Sequence, residues 1–153
     1  MSLRKKDLYH IKPMTVSDLD HIYELELECY EFPWSKNILR DCILYKYDSF
    51  SVFYNHILVG YVIAKINMEE THILNLTVSP KHRRYGVGSS LLDSVLNDAK
   101  IRESKHVILE VRESNENARI LYAKYNFSVI GRRKDYYESA TGREDALVLS
   151  LEL

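Results

Sequence analysis

From Val87 onward the apolar positions Leu91, Leu92, Val95, Leu96 and Ala99 return every three to four residues, which is one face of an α-helix. The same period over Ala118, Leu121, Tyr122 and Tyr125 predicts a second helix. Nearer the start, Leu19, Ile22, Tyr23, Glu26, Cys29 and Tyr30 share a helical face that is apolar except for the glutamate. Ser17 is the expected N-cap there, with Asp20 three residues on. The stretch "EFPWS" ends this helix at Pro33, and Ser35 can cap a shorter one carrying Ile38, Leu39 and Cys42. Between the helices, β-rich runs predict strands over residues 8–14, 49–54, 57–66, 72–78, 106–111, 127–131 and 144–151. In the last of these Leu147, Leu149 and Leu151 alternate.

The resulting order is β-α-α-β-β-β-α-β-α-β-β. Asn55-His56 and residues 67–70 are short enough to be hairpin turns. The pattern predicts an α/β domain with a mixed sheet and helices on its faces. Its strand-helix-strand unit should be a parallel, right-handed crossover. No repeat, low-complexity segment or Pro/Gly/Ser-rich linker divides residues 1–153, so a single domain is expected.

Composition narrows the function classes. The chain is 46% hydrophobic and 28% charged with a formal net charge of −1, which fits a globular protein with a core. The charge gives no reason to expect nucleic acid or a membrane surface as partner. No apolar run approaches the ~20 residues of a bilayer span. The basic start "MSLRKKDLYHIKP" has no apolar segment after it, so it does not read as a secretory signal, and a cytoplasmic protein is expected. Cys29 and Cys42 are too few for a disulfide framework and read as core thiols. The six histidines lack metal-ligand spacing, and no metal is expected. The acidic run Glu24, Glu26, Glu28, Glu31 is either a solvated helix face or an attractor for a cationic acceptor. The cluster Arg132-Arg133-Lys134 reads as a solvated turn.

The richest chemistry lies in "HRRYGVGSSLL", residues 82–92. A helix beginning near Gly88 has unpaired N–H groups in its first turn and the positive end of its dipole there. Gly86 and Gly88 permit positive φ and close approach, and Arg83 and Arg84 add charge suited to a diphosphate. A nucleoside-triphosphate loop would need Gly-Lys, which is missing. A dinucleotide fingerprint would need a third glycine where Leu91 stands, although Glu110 lies roughly 20 residues on. A coenzyme A cradle needs no third glycine. A plain helix start remains the alternative to all three.

"RRYGVGSSLL" resembles the R/Q-x-x-G-x-G/A acyl-CoA signature of the GNAT N-acetyltransferase superfamily. "ILNLTVSPKHRRYGVG" is similar to its central strand and diphosphate loop, and "LEVRESNENARILYAKYNF" to its next strand and helix. With "FPWS" and "YYESATGREDALVLSL", the chain most resembles the bacterial ribosomal-protein-alanine N-acetyltransferase (RimI) family, over residues 9–153. Two departures are small: Asn126 stands for a usual glycine, at a position needing a left-handed backbone, and Thr77 for a commoner alanine.

The resemblance implies a single GNAT-like domain whose mixed, mostly antiparallel sheet splays into a V, with helices on both faces. It implies acetyl-CoA as acyl donor. The diphosphate would lie on Arg83, Arg84, Tyr85, Gly86, Val87, Gly88 and Ser89, and the pantetheine arm along Leu76, Thr77 and Val78. Asn115 would touch that arm, cap the following helix, or do both. An α-amine with a pKa near ~8 is mostly protonated at neutral pH, so a base is needed. Glu110 matches that base, its alternative being a salt bridge with Arg112 or a lysine. The leaving thiolate, near ~8.5, needs an acid, and Tyr122 matches it, its alternative being simple packing. A main-chain N–H near Val78 would hold the carbonyl oxygen. Phe32, Pro33, Trp34, Tyr136 and Tyr137 would bracket the acceptor.

The acceptor implied is a protein N-terminus, specifically the N-terminal alanine of small-subunit ribosomal protein eighteen, attacked directly in a ternary complex. A broader N-terminal or lysine acetyltransferase and a non-catalytic acyl-CoA-binding module are the alternatives, and intact Glu110 and Tyr122 speak against the module. A monomer or weak dimer is expected.

Overall fold

The computed structural model describes residues 8–153; the first part of the basic N-terminal segment, residues 1–7, lies outside the described residues. β1 (Tyr9–Pro13) is followed by α1 (Leu19–Cys29), α2 (Lys36–Leu44), β2 (Asp48–Tyr54), β3 (Ile57–Ile66), β4 (Glu70–Val78), α3 (Val87–Ile101), β5 (His106–Arg112), α4 (Glu116–Lys124), β6 (Ser128–Ser139) and β7 (Gly142–Glu152). This is the order that periodicity predicts. Asn55 and His56 both take positive φ, 50° and 66°, as a two-residue hairpin turn requires. Asn126 takes φ 67°, the left-handed conformation expected where glycine is usual.

Three boundaries differ from the sequence reading. The N-cap of α1 is Asp18, and Thr15 caps the short 3-10 turn before it, Val16–Asp18, its N–H donating to Asp18 Oδ2 at 2.9 Å; Ser17 lies inside that turn. Ile38 is 50% exposed, so α2 is anchored by Leu39 and Cys42, with Ile43 partly buried beside them. The final hairpin is longer than apolar runs suggest. Residues 132–135 belong to β6, an exposed edge strand whose register shifts between Arg133 and Tyr137, with Asp135 at φ 52°. The basic cluster is therefore part of a strand, not a turn. Arg132 bridges Glu113 at 2.7 Å and Asp145 at 3.2 Å.

The seven strands form one sheet in the order β1-β2-β3-β4-β5-β7-β6. Every neighbouring pair is antiparallel except β4 and β5, which are joined through α3 and run parallel. One face carries α3, which buries Val87, Leu91, Leu92, Val95, Leu96 and Ala99 against Val62, Ala64, Val107 and Leu109. The other carries α1 and α2, where Leu19, Ile22, Leu25, Leu39 and Cys42 pack on Tyr61 and Ile63. β3 is thus buried on both sides, and its near-continuous apolar run follows from that. Each such buried aliphatic side chain contributes about 1.5–3 kcal/mol. Among the described residues no helix is long and apolar enough to cross a membrane.

The sheet opens between β4 and β5. Their pairing covers only residues 70–73 with 106–109. Leu74 has no partner in the β3–β4 register, where Asn75 faces Ile63 and Ile73 faces Ala64. That bulge bends β4 away. Beyond it β4 follows β3, while Glu110 to Arg112 follow β7, and a V is left between them.

Candidate active site

The glycine turn lies at the mouth of the V. Arg84 and Gly86 both adopt left-handed φ, 68° and 81°. Gly86 is the N-cap of α3 and accepts from Ser90 N–H at 2.9 Å. The N–H groups of Val87, Gly88 and Ser89 therefore precede the first intrahelical bond, and no side chain caps them. A Cβ at Gly88 would stand 3.3 Å from Leu121 Cδ2 and 3.7 Å from Val78 Cγ2, so this turn packs tightly between β4 and α4. Main-chain donors at the positive end of a 15-residue helix make an anion cradle. Tyr85 is exposed beside it, and Arg83 lies within electrostatic reach of Cys29 and Tyr30.

Antiparallel pairing decides which edge of β4 is free. Ser79 N–H bonds to Val59 O at 2.8 Å. Alternation then turns the main chain of Thr77 toward β3 and that of Leu76 and Val78 into the V. Leu76 O accepts from the Tyr30 hydroxyl at 3.3 Å, and Val78 O faces Cys29 Sγ at 3.8 Å. Asn115 caps α4, its Oδ1 accepting from Ala118 N–H at 3.2 Å. Its amide NH2 remains a donor.

Glu110 is the first residue past the last β4–β5 pair, and its side chain is 10% exposed. Oε2 lies 2.8 Å from His72 Nε2 and Oε1 3.4 Å from Arg133 Nε. The bridge to Arg112 offered as its alternative role does not form. Arg112 pairs with Glu144 at 3.0 Å and lies 4.5 Å over the Tyr137 ring. Tyr122, on α4, is buried with its ring 5.5 Å from that of Phe127. Burial holds its phenol well above the ordinary tyrosine value, with the Tyr30 and Tyr137 phenols adding to the effect. Tyr137 is pushed up to about 12 by burial, with Tyr136 and Glu110 adding. The Tyr30 and Tyr137 phenols thus lie within electrostatic reach of Tyr122, and Glu110 within reach of Tyr137.

A cavity of about 500 Å³ is lined by Phe32, Pro33, Tyr136 and Tyr137 together with Glu31, Arg112, Glu138 and Arg143. Four of the five expected wall residues meet here. Trp34 does not line it; it packs against the α1–α2 core, and its N–H donates to Glu26 Oε2 at 2.8 Å. Glu26 in turn is no member of a solvated acidic face. It is 1% exposed and also accepts from the Tyr61 hydroxyl and from Asn75 Nδ2 at 3.0 Å. Sequence reasoning assigned no role to Tyr30, Asn75, Tyr61 or His72. The one available signal was Glu26 itself, the single polar position on the apolar face of α1.

The raised phenols and thiol make stability pH-dependent. Cys29 is pushed up to about 11 and Tyr30 to about 12, both chiefly by burial. A group whose folded pKa exceeds its unfolded value stabilises fully below the unfolded value and loses that contribution as pH rises through the folded one. Denaturant midpoints should therefore be level up to pH about 8 and decline between about 9 and 12. A midpoint unchanged from pH 8 to 11 would contradict the burial of these groups.

The acetyltransferase (GNAT) family model matches residues 19–127. The ribosomal protein bS18-alanine N-acetyltransferase of Escherichia coli is 29% identical, over 94% of this chain and 97% of the relative. The enzyme of that name from Haemophilus influenzae is 31% identical, over 94% and 98%. The crystal structure of the Escherichia coli enzyme superimposes with a TM-score of 0.88 at 29% identity, covering 94% of this chain and 93% of that one. An acetyl-CoA-bound GNAT family acetyltransferase from Elizabethkingia anophelis gives 0.77 at 26% identity, over 96% and 99%.

Proposed function

As the chain belongs to the acetyltransferase (GNAT) family, we propose that it transfers the acetyl group of acetyl-CoA to the N-terminal α-amine of a protein, with the N-terminal alanine of ribosomal protein bS18 as acceptor. It is an acetyl-CoA-dependent N-acetyltransferase; the acceptor, the mechanism and a cytoplasmic place of action are the proposed part. The observation that carries the proposal is the V itself. Its open strand edge runs from uncapped donors at the helix start to a buried phenol on one side and a nearly buried carboxylate on the other.

In this reading the diphosphate sits on the N–H groups of residues 84–89, with Arg83, Arg84 and Tyr85 around it. The pantetheine arm adds to the free edge of β4 at Leu76 and Val78, with Thr77 behind and the Asn115 amide as a further donor. Glu110 removes a proton from the acceptor ammonium, directly or through one water. The amine attacks the thioester carbonyl, whose oxygen is held by the Val78 N–H. Tyr122, kept protonated by burial, gives its proton to the departing thiolate. No acyl-enzyme forms, and holding both substrates in line supplies much of the acceleration. Phe32, Pro33, Tyr136 and Tyr137 wall the acceptor groove, and Trp34 supports the first wall from the core side.

The decisive assay follows thiol release from acetyl-CoA with a panel of peptides, free or blocked at the α-amine. Release with free alanine-first peptides alone supports the proposal; equal release with blocked, lysine-containing peptides replaces it with lysine acetylation. Tyr122→Phe should lower kcat by about 10- to 100-fold and leave acetyl-CoA affinity within about twofold. A wild-type kcat in that variant removes Tyr122 from the chemistry.

A further inference from the structure

Tyr30 leaves α1 at its C-cap in an extended conformation and carries its hydroxyl to the free edge of β4. The hydrogen bonds behind it run in one direction. Glu26 Oε1 accepts from Asn75 Nδ2 at 3.0 Å, which turns Asn75 Oδ1 away from it. Oδ1 can only accept, so Thr77 Oγ1 donates to it at 2.8 Å. With its one proton so committed, Thr77 Oγ1 must accept from the Tyr30 hydroxyl, 2.7 Å away. Leu76 O, at 3.3 Å, is a second acceptor for the same proton. Tyr30 Oη therefore offers the V lone pairs and no donor.

We propose that Tyr30 Oη accepts a hydrogen bond from the acceptor amine and so fixes the direction in which that amine's lone pair points, with Glu26 as the positioning residue that sets the polarity through Asn75 and Thr77. The inference rests on the N-acetyltransferase reading of the V. After one proton has passed to Glu110, the amine keeps two N–H bonds and one lone pair. An N–H held by Tyr30 removes most of its rotational freedom, and orientation of this kind is a large part of a two-substrate reaction's barrier. The location fits. The Tyr30 phenol acts electrostatically on Tyr122, the proposed acid, and on Tyr137, a wall of the acceptor cavity. Burial raises Tyr30 to about 12, so it stays a neutral acceptor across the working pH range.

Tyr30→Phe keeps the ring and removes the oxygen. With acetyl-CoA and an alanine-first peptide, kcat/KM for the peptide should fall about tenfold. The KM for acetyl-CoA should stay within about twofold. Thr77→Val removes the shorter of the two bonds that orient the Tyr30 hydroxyl, leaves its proton on Leu76 O alone, and should give a smaller loss in the same parameter. An unchanged peptide kcat/KM in Tyr30→Phe overturns the proposal, as does a loss matched by an equal rise in the acetyl-CoA KM, which would assign Tyr30 to the cofactor edge. Should Tyr30→Phe fail to fold, Thr77→Val decides: a peptide kcat/KM equal to wild type overturns the proposal. If wild type acetylates lysine side chains and not N-termini, the acceptor reading fails, and the same comparison on the lysine peptide decides Tyr30 separately.

Discussion

Glu110→Gln should lower kcat for acetyl transfer by about 10²- to 10⁴-fold at pH 7 while leaving acetyl-CoA binding nearly intact. The substitution keeps the shape of the side chain and its place at the vertex of the V, and it removes only the ability to take a proton. His72 at 2.8 Å and Arg133 at 3.4 Å both approach Glu110, yet neither is deeply buried, so solvent can compensate them when the charge is lost. Stability should change little, which separates a chemical effect from a folding one. The pH profile gives an independent readout. The acceptor α-amine titrates near ~8, so raising the pH supplies free amine without help from the enzyme. The deficit of Glu110→Gln should therefore shrink steadily between pH about 7 and 9. A variant within about threefold of wild type at pH 7 would leave Glu110 with a purely structural role.

The elements that sequence periodicity fixes well are those whose faces are set by one partner. α3 shows its six buried positions plainly because it lies on one sheet face throughout. β6 shows the reverse. Its start, up to Gly131, reads as a strand, but the residues from Arg132 to Tyr136 are all exposed, so no apolar alternation marks the extension, and only its pairing with β7 makes it a strand. The V was implied by resemblance and not by pattern, because it depends on a single skipped residue, Leu74, in a strand whose composition is unremarked. The geometry of the glycine turn was legible, since Gly86 takes a left-handed φ and caps the helix that follows it directly. The partners of Glu110 were not. His72 comes from a neighbouring strand and Arg133 from a distant hairpin, and no local spacing records either. Trp34 reads as a groove residue beside Phe32 and Pro33, yet its large ring is drawn to the α1–α2 core, as burial of aromatic area favours.

Glu26→Ala should produce the largest loss of stability. Three donors converge on this carboxylate: the Tyr61 hydroxyl, Asn75 Nδ2 and the Trp34 N–H. Tyr61 is fully buried at 0% exposure, so water cannot replace the lost acceptor there. Each buried donor left without a partner costs about 1–3 kcal/mol, and a cavity adds to that, so a loss of about 3 kcal/mol or more is expected. Glu26→Gln keeps one acceptor oxygen and should cost about half as much. The effect on activity should be uneven. The Trp34 N–H tie holds the turn that places Phe32 and Pro33 at the acceptor cavity, whereas the α3 cradle is built on the opposite sheet face. The Gln variant, folded at ambient temperature, should therefore show a raised KM for the peptide acceptor and a near-normal KM for acetyl-CoA. Chemical denaturation of the two variants beside wild type measures the first part, and bisubstrate kinetics the second. A cost below about 1 kcal/mol in Glu26→Ala would mean that water or a neighbouring side chain satisfies these donors, and the buried carboxylate would then be neither the anchor of the acceptor wall nor the source of the network's polarity.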